Sequence, residues 1–246
     1  MDTFKSSESS DLDELISKFS PFLNEIRKRI LYTSVVFAVA AVVGFVFYER
    51  IIKFLIDLLS LNGVNIVFTS PFQFINLAIS CGIATGLLLT FPLIIYQILS
   101  FLKPALKVKE FKMLVKFFPY SIILFLSGFS FGVLVMKWQI QLFLSKSETL
   151  GIGNILDISQ LISTVILISS VMGITFQFPI ILLLLMRIGI ISHENLSKKR
   201  TWVYLGALIF SILLPLDSIL ADFLLVLPIV VLFELALLLD RLYGKR

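Results

Sequence analysis

Cysteine, histidine and charge are all scarce in this chain. Cys81 is the only cysteine among 246 residues, which excludes an intramolecular disulfide. It lies inside an apolar run and reads as a small packing residue rather than a reactive thiol. The one histidine, His193, sits beside Glu194 and reads as a solvated loop residue. A single His and a single Cys leave no metal-ligand spacing to read, so no metal is expected. A phosphate-cradling glycine loop and a nucleophile motif are also missing from the sequence. The expectation is therefore a protein that is not an enzyme, needs no cofactor and draws its energy from outside the chain. Charged residues make up 15% of the sequence, against about a quarter in soluble domains. Residues 1–20 are polar and acidic, so no cleavable signal peptide is expected.

What is abundant is apolar length. Apolar residues are 58% of the chain and the mean hydropathy is +1.02. Runs near about 20 apolar residues mark membrane-spanning helices. Six are read here, at about 30–48, 72–99, 117–136, 158–186, 201–214 and 219–239. The fold class is an all-α integral membrane protein. Residues 1–20 form a polar tail, 21–242 the membrane domain and 243–246 a basic end. Ser20-Pro21 reads as a helix start. The charges at 49, 50, 53 and 57 fall on one face of an interfacial helix. Loops are read at 101–116 and 137–157. Gly128 and Gly132 form a small-xxx-small packing pair. Pro92 is expected to kink the second span and Pro179 to interrupt the fourth. Pro71, Pro92, Pro179 and Pro228 are read as structural. The fifth span has about 14 residues, or about 21 Å, against a hydrocarbon core of about 30 Å. That deficit predicts a shallow, partly wet depression beside spans 5 and 6.

Basic residues follow this topology. Seventeen of the 21 lie in segments on one side: Lys5 to Arg29, Lys103 to Lys116, Arg187 to Arg200, and Arg241 to Arg246. The other side holds Arg50, Lys53, Lys137 and Lys146. The bias places both termini inside. It also explains the pI of 9.3 without nucleic acid.

Several motifs then occur in a specific order. Phe22-Leu23-Asn24-Glu25-Ile26-Arg27-Lys28-Arg29 precedes span 1, and Ser70-Pro71 precedes span 2. Phe91-Pro92-Leu93 and Phe101-x-x-Pro104-Ala105-Leu106-x-x-x-Glu110 follow. Phe176-Gln177-Phe178-Pro179, Gly189 to Arg200, Leu214-Pro215-Leu216-Asp217, and Leu227-Pro228 through Phe233-Glu234 complete the series. Over about residues 20–242 the chain resembles the TatC family, the multi-spanning core of the twin-arginine protein translocase. It departs from the family pattern at Phe22 (usually His), Gln177 (commonly Glu) and Leu216 (usually Pro). The resemblance implies a concave, glove-like bundle in the plasma membrane, or alternatively an organelle inner membrane. It also implies binding of Arg-Arg signal peptides of folded cargo, self-association, TatA/TatB-type single-span partners, and use of the proton-motive force. The residues it implies for signal binding are Glu25, Arg27, Pro104 and Glu110.

The chemistry suits that reading. A guanidinium is planar, always charged, and presents a fork of donors to a carboxylate. Glu25 and Glu110 are carboxylates set among Lys and Arg, which keep them ionised. Each has a plainer alternative: an i,i+4 pair with Arg29 for Glu25, and solvated pairing with Lys107 or Lys112 for Glu110. Gln97 and Gln177 lie in or near apolar spans and need internal partners. They read either as contacts for a partner's transmembrane helix or as a hydrogen bond between spans 2 and 4. Asp217 and Glu234 are acids at or within the membrane and so are functional candidates; Asp222 reaches only the outer interface. A secondary transporter is the competing class, but it would show matching halves with broken helices, and none is found. An insertase would need a Lys or Arg deep in a span, which is absent.

Overall fold

The computed structural model describes residues 2–61, 64–103, 108–151, 155–187, 189–215 and 219–243. Side chains are described from Asn24 onward, apart from 102, 108–110, 113, 114, 187 and 243. The helices are α1 (Asp2–Val46), α2 (Tyr48–Leu58), α3 (Gln73–Leu102), α4 (Val108–Thr149) and α5 (Ile158–Thr175). They continue with α6 (Phe178–Arg187), α7 (His193–Lys198), α8 (Arg200–Ile212) and α9 (Ile219–Tyr243). Strands β1 (Ile66–Val67) and β2 (Leu156–Asp157) pair in parallel.

Five stretches are long and apolar enough to cross a bilayer: Asn24–Val46, Gln73–Phe101, Val115–Thr149, Ile158–Met186 and Ile219–Leu242. The sixth apolar segment, α8, has 13 residues. Their outer surfaces are apolar. On α1, Val35, Val39, Val42 and Val46 form a stripe that is 61–65% exposed. A soluble protein does not leave such a patch in water, so this is a lipid-facing surface.

The helices pack antiparallel at close range. An added Cβ at Gly82 would lie 2.8 Å from Ala41 O, and one at Gly86 would lie 2.9 Å from the Phe37 ring. These glycines let α3 lie against α1. Gly128 and Gly132 do the same for α4 and α5, as their spacing predicts. A Cβ there would sit 2.6 Å from Met172 O or from Ser169 Cα. Cys81 is buried in the shared core with Leu77, Val133, Met136, Ile162 and Val165. A second cluster, Leu182, Leu183, Phe233, Ala236 and Leu237, joins α6 to α9. His193 of α7 meets Asp240 of α9, and Ser211 of α8 meets Asp222 of α9, so both α7 and α8 pack against α9.

Four boundaries differ from the sequence reading. The helix does not start at Ser20-Pro21, because α1 already runs from Asp2. The loop at 101–116 is largely helix, since α3 reaches Leu102 and α4 begins at Val108. The loop at 137–157 is also mostly helix, because α4 continues to Thr149. Its buried Met136, Ile140 and Ser147, with Leu144 packed beside them, keep the helical period beyond the hydrophobic run. The break in the fourth span falls at Phe176–Gln177. Pro179 has no N–H to offer Thr175 O, so the helix must restart there. By contrast, α3 remains helical through Pro92, as does α9 through Pro228. Pro71 starts the turn that leads into α3. The amphipathic α2 is as expected, with Leu55 buried beneath Ile51 and Ile52.

Candidate functional site at the basic end of the bundle

The start of the α1 crossing and the end of α3 meet at one end of the bundle. Here Arg29 donates to Glu25 Oε1 through Nη2 (2.6 Å) and Nε (3.1 Å). The same guanidinium donates from Nη1 to Gln97 Oε1 at 2.9 Å. The i,i+4 spacing brings the first pair together on one helix face. Only the α1–α3 packing brings Gln97 to it. The Glu25 side chain is 48% exposed and that of Arg29 is 23% exposed. Both described bonds to Glu25 use Oε1, so Oε2 has no described partner. Arg27 is exposed.

Beside this pair lies an apolar groove of about 370 Å³, lined by Ile26, Ile30, Thr33, Ile94, Ile98 and Phe101. A cation held at Glu25 could therefore carry an apolar chain into the groove. Pro104 lies outside the described residues. Glu110 lies in the first turn of α4, where an acid favours the helix dipole; its side chain is outside the described set.

The polar residues of the spans do not pair as read. Gln97 goes to Arg29 on α1, not to Gln177. Gln177 is buried, accepts from Ser121 Oγ and donates from Nε2 to Ser121 O at 3.1 Å. It therefore ties the α5–α6 break to α4, not to α3. The break puts the amide there, and the close α4–α5 packing supplies Ser121. Glu234 accepts from Tyr204 Oη and lies 3.4 Å from Arg200 Nη1. Its charge is thus compensated by α8, a structural use of an acid in an apolar helix. Asp217 lies outside the described residues. Asp222 accepts from Ser211 Oγ at 3.2 Å. His193 is not a solvated loop residue. It begins α7, and its Nδ1 lies 3.2 Å from Asp240 Oδ2. Among the described residues, no three His, Cys, Asp or Glu side chains converge as a metal site would require.

One residue was missed altogether. At the opposite end of the bundle, Asp157 caps α5 by accepting from Ser159 N (2.9 Å) and Gln160 N (3.1 Å). It also accepts from Thr69 Oγ1 and, at 2.7 Å, from Gln73 Nε2. Asp157-x-x-Gln160 before an apolar run is a helix-start signature that was available in the sequence. The Thr69 hydrogen bond, with further bonds from Gln160, Gln73 and Ser159, holds this carboxyl below the usual carboxylate range. A depressed carboxyl stabilises the fold above its unfolded pKa, about 3.9, and the benefit disappears as pH falls through the lower folded value. Asp157→Asn keeps a capping side chain but loses the charge. Its melting midpoint should fall a few degrees at pH 7, and the gap to wild type should close as the pH drops below about 4. Thermal unfolding in detergent at both pH values checks this.

The fold and this end of the bundle define a polytopic helical membrane protein with a half-exposed carboxylate paired to an arginine that lines an apolar groove. A family model described as Sec-independent protein translocase protein (TatC) matches residues 21–228. The chain belongs to that family, and it is a transport subunit of the Sec-independent protein translocase. It is 30% identical to Bacillus subtilis TatCy over 224 residues, covering 88% of this chain and 86% of that protein. Against Escherichia coli (strain K12) TatC it is 33% identical over 161 residues, 65% of this chain and 62% of that one. A crystal structure of the twin arginine translocase receptor TatC superposes with a TM-score of 0.80 at 25% identity. That match covers 91% of this chain and 99% of the other.

Proposed function

We propose that this chain is the receptor of the translocase: it binds the Arg-Arg signal peptide of folded cargo on the cytoplasmic face of the plasma membrane. The observation that carries this reading is the half-exposed Glu25, whose partner Arg29 lines the apolar groove between α1 and α3. Its carboxylate takes one guanidinium of the signal. Glu110, in the first turn of α4 at the same end, takes the other. Arg27 keeps the surroundings basic, and Pro104 belongs to the same signal-binding set. Each charge-assisted bond is worth about 1.5–3 kcal/mol when sheltered and about 0–1 when exposed. The arginines therefore discriminate, and the apolar stretch of the signal supplies the remaining affinity along the groove.

The basic-residue bias puts both termini inside, with α8 as the sixth crossing. At 13 residues, α8 spans about 20 Å, so the bilayer thins beside it. TatA/TatB-type partners gather at this thinned region along α8 and α9, and the proton-motive force drives transport there.

The test is photo-crosslinking of Arg-Arg and Lys-Lys signal peptides to the full chain in nanodiscs, in wild type and Glu110→Ala. The Arg-Arg peptide should crosslink at least several-fold more strongly than Lys-Lys, and Glu110→Ala should erase most of that difference. Equal labelling by both peptides would overturn the receptor reading.

A further inference from the structure

A second groove lies at the end of the bundle away from Glu25. The last turns of α4 and the start of α5 enclose about 520 Å³, within the range of ligand sites, about 300–1,000 Å³. Trp138, Phe143 and Leu161 give it apolar walls, and Gln139, Gln160, Lys146 and Asp157 line it with polar groups, the Asp157 carboxylate being committed to Thr69, Gln73 and the first amides of α5. The walls are held in place independently of any occupant. Asp157 pins the first turn of α5, and Ile140 and Leu144 bind this part of α4 to the core.

Two groups in this groove lack partners among the described residues. Gln139 Oε1 is buried with no hydrogen bond, a state that native interiors rarely leave unrelieved. Lys146 makes no ion pair or hydrogen bond there, whereas the neighbouring Lys137 donates to Leu58 O at 2.8 Å. The groove thus offers a cation, an acceptor that needs a donor, and an apolar wall.

Its depth says what could fill it. The apolar stretch of α4, Val115–Thr149, has 35 residues, or about 52 Å, and overshoots the hydrocarbon core of about 30 Å. Counted from Lys116, the last of the basic residues at its start, about 20 residues cross that core by Met136, so the last turns of α4 lie at headgroup level, where a ring such as Trp138 is at home. The volume matches roughly one turn of helix with its side chains, too little to seat a transmembrane partner. We propose that this groove holds one anionic glycerophospholipid. Its phosphate rests on Lys146, a headgroup hydroxyl donates to Gln139 Oε1, and the upper part of one acyl chain lies against Phe143 and Leu161.

The test is native mass spectrometry of the full chain released from nanodiscs made of equal phosphatidylglycerol and phosphatidylcholine with the same acyl chains. A photoreactive phosphatidylglycerol maps the contact. Retained phosphatidylglycerol should exceed phosphatidylcholine about tenfold, equivalent to about 1.4 kcal/mol. Lys146→Gln should remove that preference and Lys146→Arg should keep it. Lys53→Gln, an exposed cation on α2, should leave it unchanged. Crosslinks should fall within 138–164. An undiminished preference in Lys146→Gln, no preference in wild type, or crosslinks only elsewhere would overturn the site. Equal competition by soluble glycerol phosphate would show a free-anion site and overturn the lipid assignment.

Discussion

Gly132→Val should abolish most of the folded yield of this protein. A Cβ at position 132 would stand 2.6 Å from Ser169 Cα and 3.1 Å from Ser169 N. Both are backbone atoms, so no rotamer change can relieve the clash, and α4 and α5 must separate. Overpacking of a tight core costs about 1–3 kcal/mol and occasionally more. The upper end applies here because transmembrane helices are held by close packing rather than by hydrophobic burial. Moving α4 away also strains the Gln177–Ser121 bonds about three turns of α4 away along the same interface. The matched control is Gly206→Val on α8, where an added Cβ meets nothing within 4 Å. Size-exclusion profiles and melting midpoints in one detergent should show a large loss for position 132 and little change for 206. Equal behaviour of the two would mean that α4 and α5 do not pack through these glycines.

Glu25→Ala should weaken binding of an Arg-Arg signal peptide by a few-fold, up to about tenfold, the worth of one charge-assisted bond at a half-exposed carboxylate. The effect must be separated from simple loss of the Glu25–Arg29 pair, and Arg29→Gln makes that separation. It breaks the same pair but leaves the carboxylate free at both oxygens, and its amide can still reach toward Gln97. If Glu25 is the acceptor for the guest, Arg29→Gln should bind as tightly as wild type or a few-fold more tightly, because the guest no longer shares the carboxylate with a resident guanidinium. If the pair only braces α1, both variants should lose affinity equally. Peptide titration by fluorescence anisotropy at low salt distinguishes the two outcomes, and a Lys-Lys peptide should lose little from either change. An exposed Lys–carboxylate pair is worth only about 0–1 kcal/mol.

How much of this was legible depended on range along the chain. The crossings at 72–99, 158–186 and 219–239 were readable because length and apolarity are local properties, and the helices there match within a few residues. The interfacial α2 and the Gly128/Gly132 packing pair were readable for the same reason: a helix face is set by residues three and four apart. The reading failed where two local signals competed. Around 137–149, charges and polar residues suggested a loop, yet the buried period Met136, Ile140, Leu144 and Ser147 carried α4 onward. Asp157 was overlooked although its capping pattern was visible.

Partnership across helices was not legible at all. Gln97 and Gln177 are both amides near apolar spans, and the sequence left open whether they met each other or faced a partner's helix. In the structure one bonds to Arg29 and the other to Ser121, 56 residues away in the chain. The sequence alone determined the class of protein and the charge asymmetry, because each follows from composition, and helical spacing offered the Glu25–Arg29 pair as one alternative for Glu25. Only the tertiary structure decided which buried polar group satisfies which, where the apolar groove opens beside Glu25, and how Asp157 ties two helices together. Those outcomes depend on which helices lie side by side, and that is decided by packing between residues far apart in sequence.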